Sequence, residues 1–290
     1  MKRVNMGGQA VMEGVMIAGE RKASMAVRRK DGSITLVNQA RIPFSDKHVW
    51  GKWPVIRGMV NLCAQLKLGY VMLMKSANFL EEDETGETSV TGGFGATIAI
   101  IASVALSLGL FFVLPSLVSG WALPANQGNT SFTLLEGFIR LLLFGLYMLS
   151  VGLMKDMKRV YMYHGAEHKV LHCIEHELPP TVENAKKFSR LHPRCGTSYL
   201  FLVMMVSMVF FAVLGRGSSI LMRVLLRIAF IPLVAGVAYE ILRFAGRYDG
   251  VLSKIIRAPG MLLQYISTRE PEDDMIEVAA DAYEAAIDND

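Results

Sequence analysis

From Thr88 to Leu135 the chain has no Asp, Glu, Lys or Arg, and this gap constrains its fold more than any other feature. Within it, Phe94 to Val118 is long enough to cross a bilayer as a helix, for which about 20 residues suffice. A second apolar segment runs from Leu134 to Met154 and carries Glu136 and Arg140 one helical turn apart, where opposite charges can neutralise each other. A third, Cys195 to Gly215, is uncharged throughout, and a fourth, from about Ile220 to Leu242, is interrupted by Arg223, Arg227 and Glu240. With 52% hydrophobic and 19% charged residues, the chain is too apolar for an ordinary soluble protein. The expectation is a mainly α, polytopic membrane protein with about four transmembrane helices and a small N-terminal β unit.

Lysine and arginine set the expected orientation. They are frequent from Lys2 to Lys75, and again between the second and third spans at Lys155, Lys158, Arg159, Lys169, Lys186, Lys187, Arg190 and Arg194. The connector from Ser119 to Thr133 has none. Both termini and the segment between spans two and three are therefore expected in the cytoplasm, with the protein in the inner membrane. The loop from Arg216 to Ser219 fits less well, because Arg216, Arg223 and Arg227 would lie near the outer side; it is either re-entrant or its arginines line a polar cavity. A net charge of +4 suits contact with the cytoplasmic leaflet better than nucleic-acid binding. Four spans with short connectors do not enclose a large pore, which leaves room for a homo-oligomer or a membrane-protein partner.

Domain boundaries follow from these shifts in composition. Residues 1–53 read as a cytoplasmic β-rich unit. Ala23 to Arg29 and Ser33 to Ile42 are strand-like and joined through Lys30-Asp31-Gly32, a suitable hairpin turn. Met6-Gly7-Gly8-Gln9 and Glu13-Gly14 interrupt any signal-peptide core. The glycine-rich run from Gly7 to Gly14 lacks the Gly-Lys-Ser/Thr of a phosphate loop and reads as a strand flanked by tight turns, with Gln9 and Glu13 its reactive side chains. Residues 54–93 read as an amphipathic helix, Val55 to Leu80, started by Pro54 and followed by an acidic linker. Its polar stripe is Arg57, Asn61 and Gln65, and Trp50 and Trp53 suit an interfacial helix. Residues 94–154 hold spans one and two, 155–194 a histidine-rich cytoplasmic segment, and 195–243 spans three and four. Residues 244–290 form a cytoplasmic end whose charges after Arg269 are all acidic. From Asp274 to Ile287 apolar and acidic positions alternate at helical spacing, so this end is expected to dock as a short helix on the protein's own basic face, or to bind a partner.

The histidine-rich segment carries the chemistry. In Tyr163-His164-Gly165-Ala166-Glu167-His168-Lys169-Val170-Leu171-His172-Cys173, three of the six histidines are spaced four apart and project from one side of a helix. His164-x-x-Glu167-His168 is the inverted form of the zinc-hydrolase signature, in which two neutral imidazoles ligate and the carboxylate serves as general base. Further along, Leu191-His192-Pro193-Arg194-Cys195-Gly196-Thr197 offers His192 and Cys195 three apart. A mixed nitrogen and sulfur site from His164, His168, His192 and Cys195 would suit zinc or another divalent cation. His172 and Glu175 are further candidate ligands, and Glu183 or Glu240 could supply the downstream carboxylate that an inverted motif needs. Cys63 and Cys173 read as core or interface residues, and no disulfide is expected.

The motifs from Gly7 to Val15, Tyr163 to Lys169, His192 to Ser198 and Thr268 to Ala279 together resemble the YqhQ-like family of bacterial membrane proteins, also described as domain of unknown function 1385. The resemblance covers nearly the whole chain. It implies a predicted metal-dependent enzyme, a description that rests on the same histidine and glutamate pattern. Two functions therefore compete. One is a membrane-embedded zinc-type hydrolase with Glu167 as catalytic base and His164, His168, His172, His192 and Cys195 as candidate ligands. The other is a non-catalytic scaffold, biogenesis helper or transporter component in which the cluster is structural and Glu136, Arg140, Arg223, Arg227 and Glu240 pair helices.

Overall fold

The computed structural model describes residues 6–19, 21–41, 48–86, 94–123, 128–214, 219–248 and 250–287. Four strands, β1 (Gly7–Val11), β2 (Gly14–Ala18), β3 (Lys22–Arg28) and β4 (Ile34–Ala40), form an antiparallel sheet in the order β1-β2-β3-β4. The glycine-rich run is thus not one strand but a hairpin, turned at Glu13 with φ 50°. The β3–β4 turn falls where expected, with the Asp31 carboxylate accepting from the Ser33 backbone N–H at 2.9 Å. Every residue of β2 is buried. Val15 and Ile17 face one side and Met16 and Ala18 the other, and both sides are covered, so the strand reads as a continuous apolar run rather than an alternation.

A long helix, α1 (Ile56–Thr85), covers one face of the sheet with Leu68 and Met72. It runs past the expected end, and Glu82 and Asp83 are not linker. They close the helix and pair with Arg29 at 3.0 and 2.6 Å on the β3–β4 turn. The polar stripe of α1 turns toward α8: Arg57 pairs with Glu240 and Asn61 donates to the Tyr239 hydroxyl at 3.2 Å. Leu66 and Tyr70 are exposed instead. Lys67 and Lys75 are exposed as well, a mixture of apolar and cationic side chains that suits a helix at the membrane interface.

The membrane part begins with α2 (Phe94–Leu108), a π turn (Gly109–Val113) and α3 (Leu114–Ala122), followed by α4 (Asn129–Val151). After α5 (Lys155–Glu175) and α6 (Val182–Ala185) come α7 (Gly196–Leu214) and α8 (Ile220–Arg247). Four segments are long and apolar enough to cross a membrane: Ile98–Ala122, Thr130–Val151, Gly196–Val213 and Leu221–Arg247. Residues 216–218 of the loop whose side was ambiguous, residues 124–127 of the connector, residues 87–93 of the linker and Ile42 at the end of the expected strand lie outside the described residues.

Charges inside the bundle meet across helix seams, where lipid does not have to solvate them. The expected Glu136–Arg140 contact is present at 3.5 Å, but both terminal nitrogens of Arg227, on α8, also donate to the Glu136 carboxylate. Arg140 Nε donates at 2.7 Å to the Phe111 carbonyl in the π turn, and Arg223 to Ser116 Oγ at 2.9 Å. Glu136 thus ties α4 to α8. Breaking such a buried pair on one side should cost about 3 kcal/mol or more, because it strands a charge. We expect Glu136→Leu to lower stability in detergent unfolding titrations by that amount, and Glu136→Leu with Arg227→Leu to recover part of it; equal losses in the single and double variants would refute the pairing.

The chain ends in α9 (Val251–Ser267) and α10 (Asp273–Ile287). Helix α10 docks on the remaining sheet face beside α5, burying Met275, Ile276, Val278, Ala279 and Ala282. Its acidic residues meet the protein's own cations, as the spacing predicts: Glu277 with Arg28 and Asp273 with Lys186, both at 2.6 Å. The polar unit is therefore three layers, α5 and α10, the sheet, then α1.

Candidate metal centre

Helix α5 is polar in sequence yet more than half buried. Tyr163, Ala166, Val170, Cys173 and Ile174 join the core under the sheet and α10. Its histidine edge faces the loop before α7 and the end of α9. There each imidazole is tied to a backbone carbonyl from elsewhere. His164 Nδ1 lies 2.8 Å from Ser267 O, His168 Nδ1 2.5 Å from Arg190 O, and His172 Nε2 2.9 Å from Leu191 O. A carbonyl can only accept, so these nitrogens carry the proton and the other ring nitrogens of neutral rings offer lone pairs. His164 Nε2 is 3.1 Å from Cys195 Sγ. His168 Nε2 is buried with no hydrogen-bond partner. The His164 and His168 ring centroids are 4.4 Å apart, and ligand atoms of His164, His168 and Cys195 all lie within 4.8 Å of one another.

Cys195 stands at the N-terminus of α7, where its sulfur meets the Thr197 N–H at 3.4 Å and the Thr197 hydroxyl at 3.2 Å. Helix N-termini favour a thiolate. Burial opposes charge on both Cys195 and His164, but each offsets that cost for the other. The positive charge and hydrogen bond of His164 hold the thiol well below its ordinary range. The thiolate, with Glu167, pushes His164 up to about 9 despite its burial. A cation placed between them would take the proton's position. Buried thiolate, two carbonyl-tied imidazoles and one partnerless ring nitrogen make a donor set suited to zinc.

Glu167 sits over this group, its Oε2 3.9 Å from Nε2 of both His164 and His168. Strand β1 closes over it at Gly8, where an added methyl would overlap the Glu167 carboxylate. Gly165 has a similar reason: a methyl there would strike the Arg269 carbonyl, so glycine lets α5 approach the segment between α9 and α10.

His172 and His192 belong to a second constellation with Glu175, again with donor atoms within 4.8 Å. His192 Nε2 is 3.2 Å from Glu175 Oε1, and the Arg194 guanidinium occupies the same carboxylate. Burial lowers the pKa of both histidines, that of His172 to about 4, which keeps them neutral. His192 is thus separated from the Cys195 group, although the sequence pairs them. Neither Glu183, exposed on α6, nor Glu240, held by Arg57 and the Val55 N–H, falls in either donor group among the described residues. Glu13 pairs with Arg159 and accepts from the Tyr163 hydroxyl at 3.3 Å, pinning the β1–β2 turn to α5, and Gln9 packs against Gly69 of α1.

Sequence reasoning missed Gln264. Its side chain accepts from the His192 N–H at 2.7 Å and donates to the His192 carbonyl at 2.8 Å and to Ser198 Oγ at 3.0 Å. Nothing in local spacing marks a glutamine seventy positions away as the clamp on this loop. Gln264→Met leaves a buried N–H and C=O unpaired, each worth about 1–3 kcal/mol. We expect its thermal midpoint to fall by several degrees with helix content unchanged in circular dichroism; an unaltered midpoint would contradict the clamp.

Fold and site together define a polytopic membrane protein with a buried histidine, cysteine and glutamate cluster on one side of its spans. The family model described as "Protein of unknown function (DUF1385)" matches residues 53–289, and the chain belongs to that family. It is 32% identical over 288 residues to "Uncharacterized protein YqhQ" of Bacillus subtilis (strain 168), covering 96% of this chain and 90% of the relative. No solved structure matches the chain.

Proposed function

We propose that the chain is a membrane-embedded, metal-dependent hydrolase, with His164, His168 and Cys195 holding a zinc-type ion and Glu167 acting as general base. The observation that carries this reading is the pair of imidazoles fixed by backbone carbonyls, with one buried ring nitrogen left without a partner beside a thiol. A bound divalent ion supplies Lewis acidity toward a carbonyl or phosphoryl oxygen. Glu167 takes a proton from the attacking water at Oε2 and returns it to the leaving group. The His164 and His168 rings are held in place by Ser267 and Arg190, so no reorganisation accompanies the reaction. Gly8 and the sheet edge limit water around the carboxylate.

We place residues 1–53, 155–194 and 244–290 in the cytoplasm, because the lysine and arginine bias favours that side of the inner membrane. The packing of the sheet, α5 and α10 into one unit supports a common side for all three.

A structural ion in a non-catalytic membrane factor is the second reading, favoured by the burial of the Cys195 sulfur. The two separate by elemental analysis of the detergent-purified protein combined with complementation of a deletion strain. We expect His164→Ala, His168→Ala and Cys195→Ala to lose bound zinc, and Glu167→Gln to retain it while failing to complement. Full complementation by zinc-loaded Glu167→Gln would leave the structural reading; zinc retained in the ligand variants would sink both.

A further inference from the structure

The cluster is the inner end of a cavity of about 820 Å³. This lies within the range of roughly 300–1,000 Å³ typical of ligand sites. Its walls come from parts of the chain with different surroundings. Gly8, Arg21 and Arg41 belong to the sheet unit, Leu62 to α1, and Tyr199 and Leu242 to the two membrane-spanning helices α7 and α8. Tyr199 lies close to the start of α7 and Leu242 close to the end of α8. The cavity therefore sits where the spans emerge from hydrocarbon, at the depth of lipid headgroups.

Its charge is one-sided. Among the described residues of the lining Glu167 is the acidic one, and it is buried, whereas Arg21 and Arg41 stand together at the sheet edge and Arg194 is held by Glu175. They are adjacent across the strands, with the Arg41 N–H donating to the Arg21 carbonyl at 2.7 Å. Arg41 Nη1 donates to the Gly19 carbonyl at 3.1 Å, and among the described residues neither guanidinium meets a carboxylate. Paired guanidinium groups match phosphate oxygens in geometry and charge. The wall toward the spans is different, with Leu62, Leu242 and the rings of Tyr199 and Tyr239 giving an apolar and aromatic surface. A ligand that satisfies both ends carries an anionic head and a hydrocarbon tail.

We propose that this cavity binds a lipid with a net anionic phosphate head from the adjoining leaflet, its phosphate held by Arg21 and Arg41 and its first chain carbons lying between Leu62 and Leu242. The lipid enters sideways, so most of its tail stays in the bilayer and only the head and linkage are desolvated. As the substrate class of the hydrolase this rests on the reading above; as a binding site it stands on the cavity alone.

The test is equilibrium binding to the full chain in neutral maltoside micelles, with zinc content measured on the same sample. The probes are dioctanoyl phosphatidate, dioctanoyl phosphatidylcholine and inorganic phosphate. We expect phosphatidate to bind at least tenfold more tightly than either of the others. Arg21→Gln with Arg41→Gln should weaken it about tenfold. Arg21→Gln alone, at an exposed position that does not threaten folding, should weaken it several-fold, and Leu62→Trp, which fills the apolar end, should weaken phosphatidate without changing phosphate. Equal affinity for phosphatidate and phosphatidylcholine, equal affinity for phosphatidate and inorganic phosphate, or indifference to the arginine changes overturns the proposal. His164→Ala separates the two readings, since binding should persist there even when zinc is absent.

Discussion

The burial of a polar helix is the constraint on which the rest of this structure depends. Helix α5 places Glu167, His168, Lys169 and Glu175 out of water, and each would be costly there without a partner. No single neighbouring element could supply those partners. Lys169 takes Glu270 from the segment before α10, His168 takes a carbonyl from the loop before α7, His164 takes one from the end of α9, and Glu175 takes Arg194. Strand β1 lies against Glu167. The sheet, the loop, α9 and α10 are thus positioned by the hydrogen-bonding requirements of one helix, which is also the helix that carries the donor cluster. Structure and chemistry draw on the same side chains.

The membrane spans impose the complementary constraint. Lipid cannot satisfy a charge, so Glu136, Arg140, Arg223 and Arg227 turn toward seams between α3, α4 and α8. Helix α1 extends this logic to the edge of the polar unit. One half holds α8 through Arg57 and Glu240, and the other covers the sheet through Leu68 and Met72. It therefore couples the spans to the sheet mechanically, and the cavity opens along its inner side.

What could be read from the sequence were the features written in local patterns. The charge-free run and its successors gave four spans, the turn at Asp31 gave the β3–β4 hairpin, and the alternating acidic end gave a helix docked on basic residues. What could not be read were pairings between residues far apart. Glu136 was matched to Arg140 by spacing, while Arg227, ninety-one positions on, reaches it with two nitrogens. Glu82 and Asp83 read as a solvated run because Arg29 precedes them by more than fifty positions. Helix α9 was hidden inside an apparently continuous end segment. At the site, spacing placed His164 and His168 on one face, but it joined Cys195 to His192, which the turn at Pro193 sends toward Glu175 instead.

That last divergence bears on which constellation is suited to chemistry. Around Glu175 the carboxylate already pairs with Arg194, His192 is clamped through its backbone by Gln264, and burial lowers the pKa of both rings, outweighing the Leu191 hydrogen bond at His172 and the charges of Glu167 and Cys195 at His192. An ion arriving there would have to displace a guanidinium. Around Cys195 the balance runs the other way. His164 and the Cys195 thiol share a proton whose place a divalent cation could take, and the Glu167 carboxylate stands beside both rings on the cavity wall. The Glu175 group and the Gln264 clamp hold the loop that carries Cys195. The His172, Glu175 and His192 group thus ties α5 to the loop before α7, and a single helix carries the histidines of both groups over three successive turns.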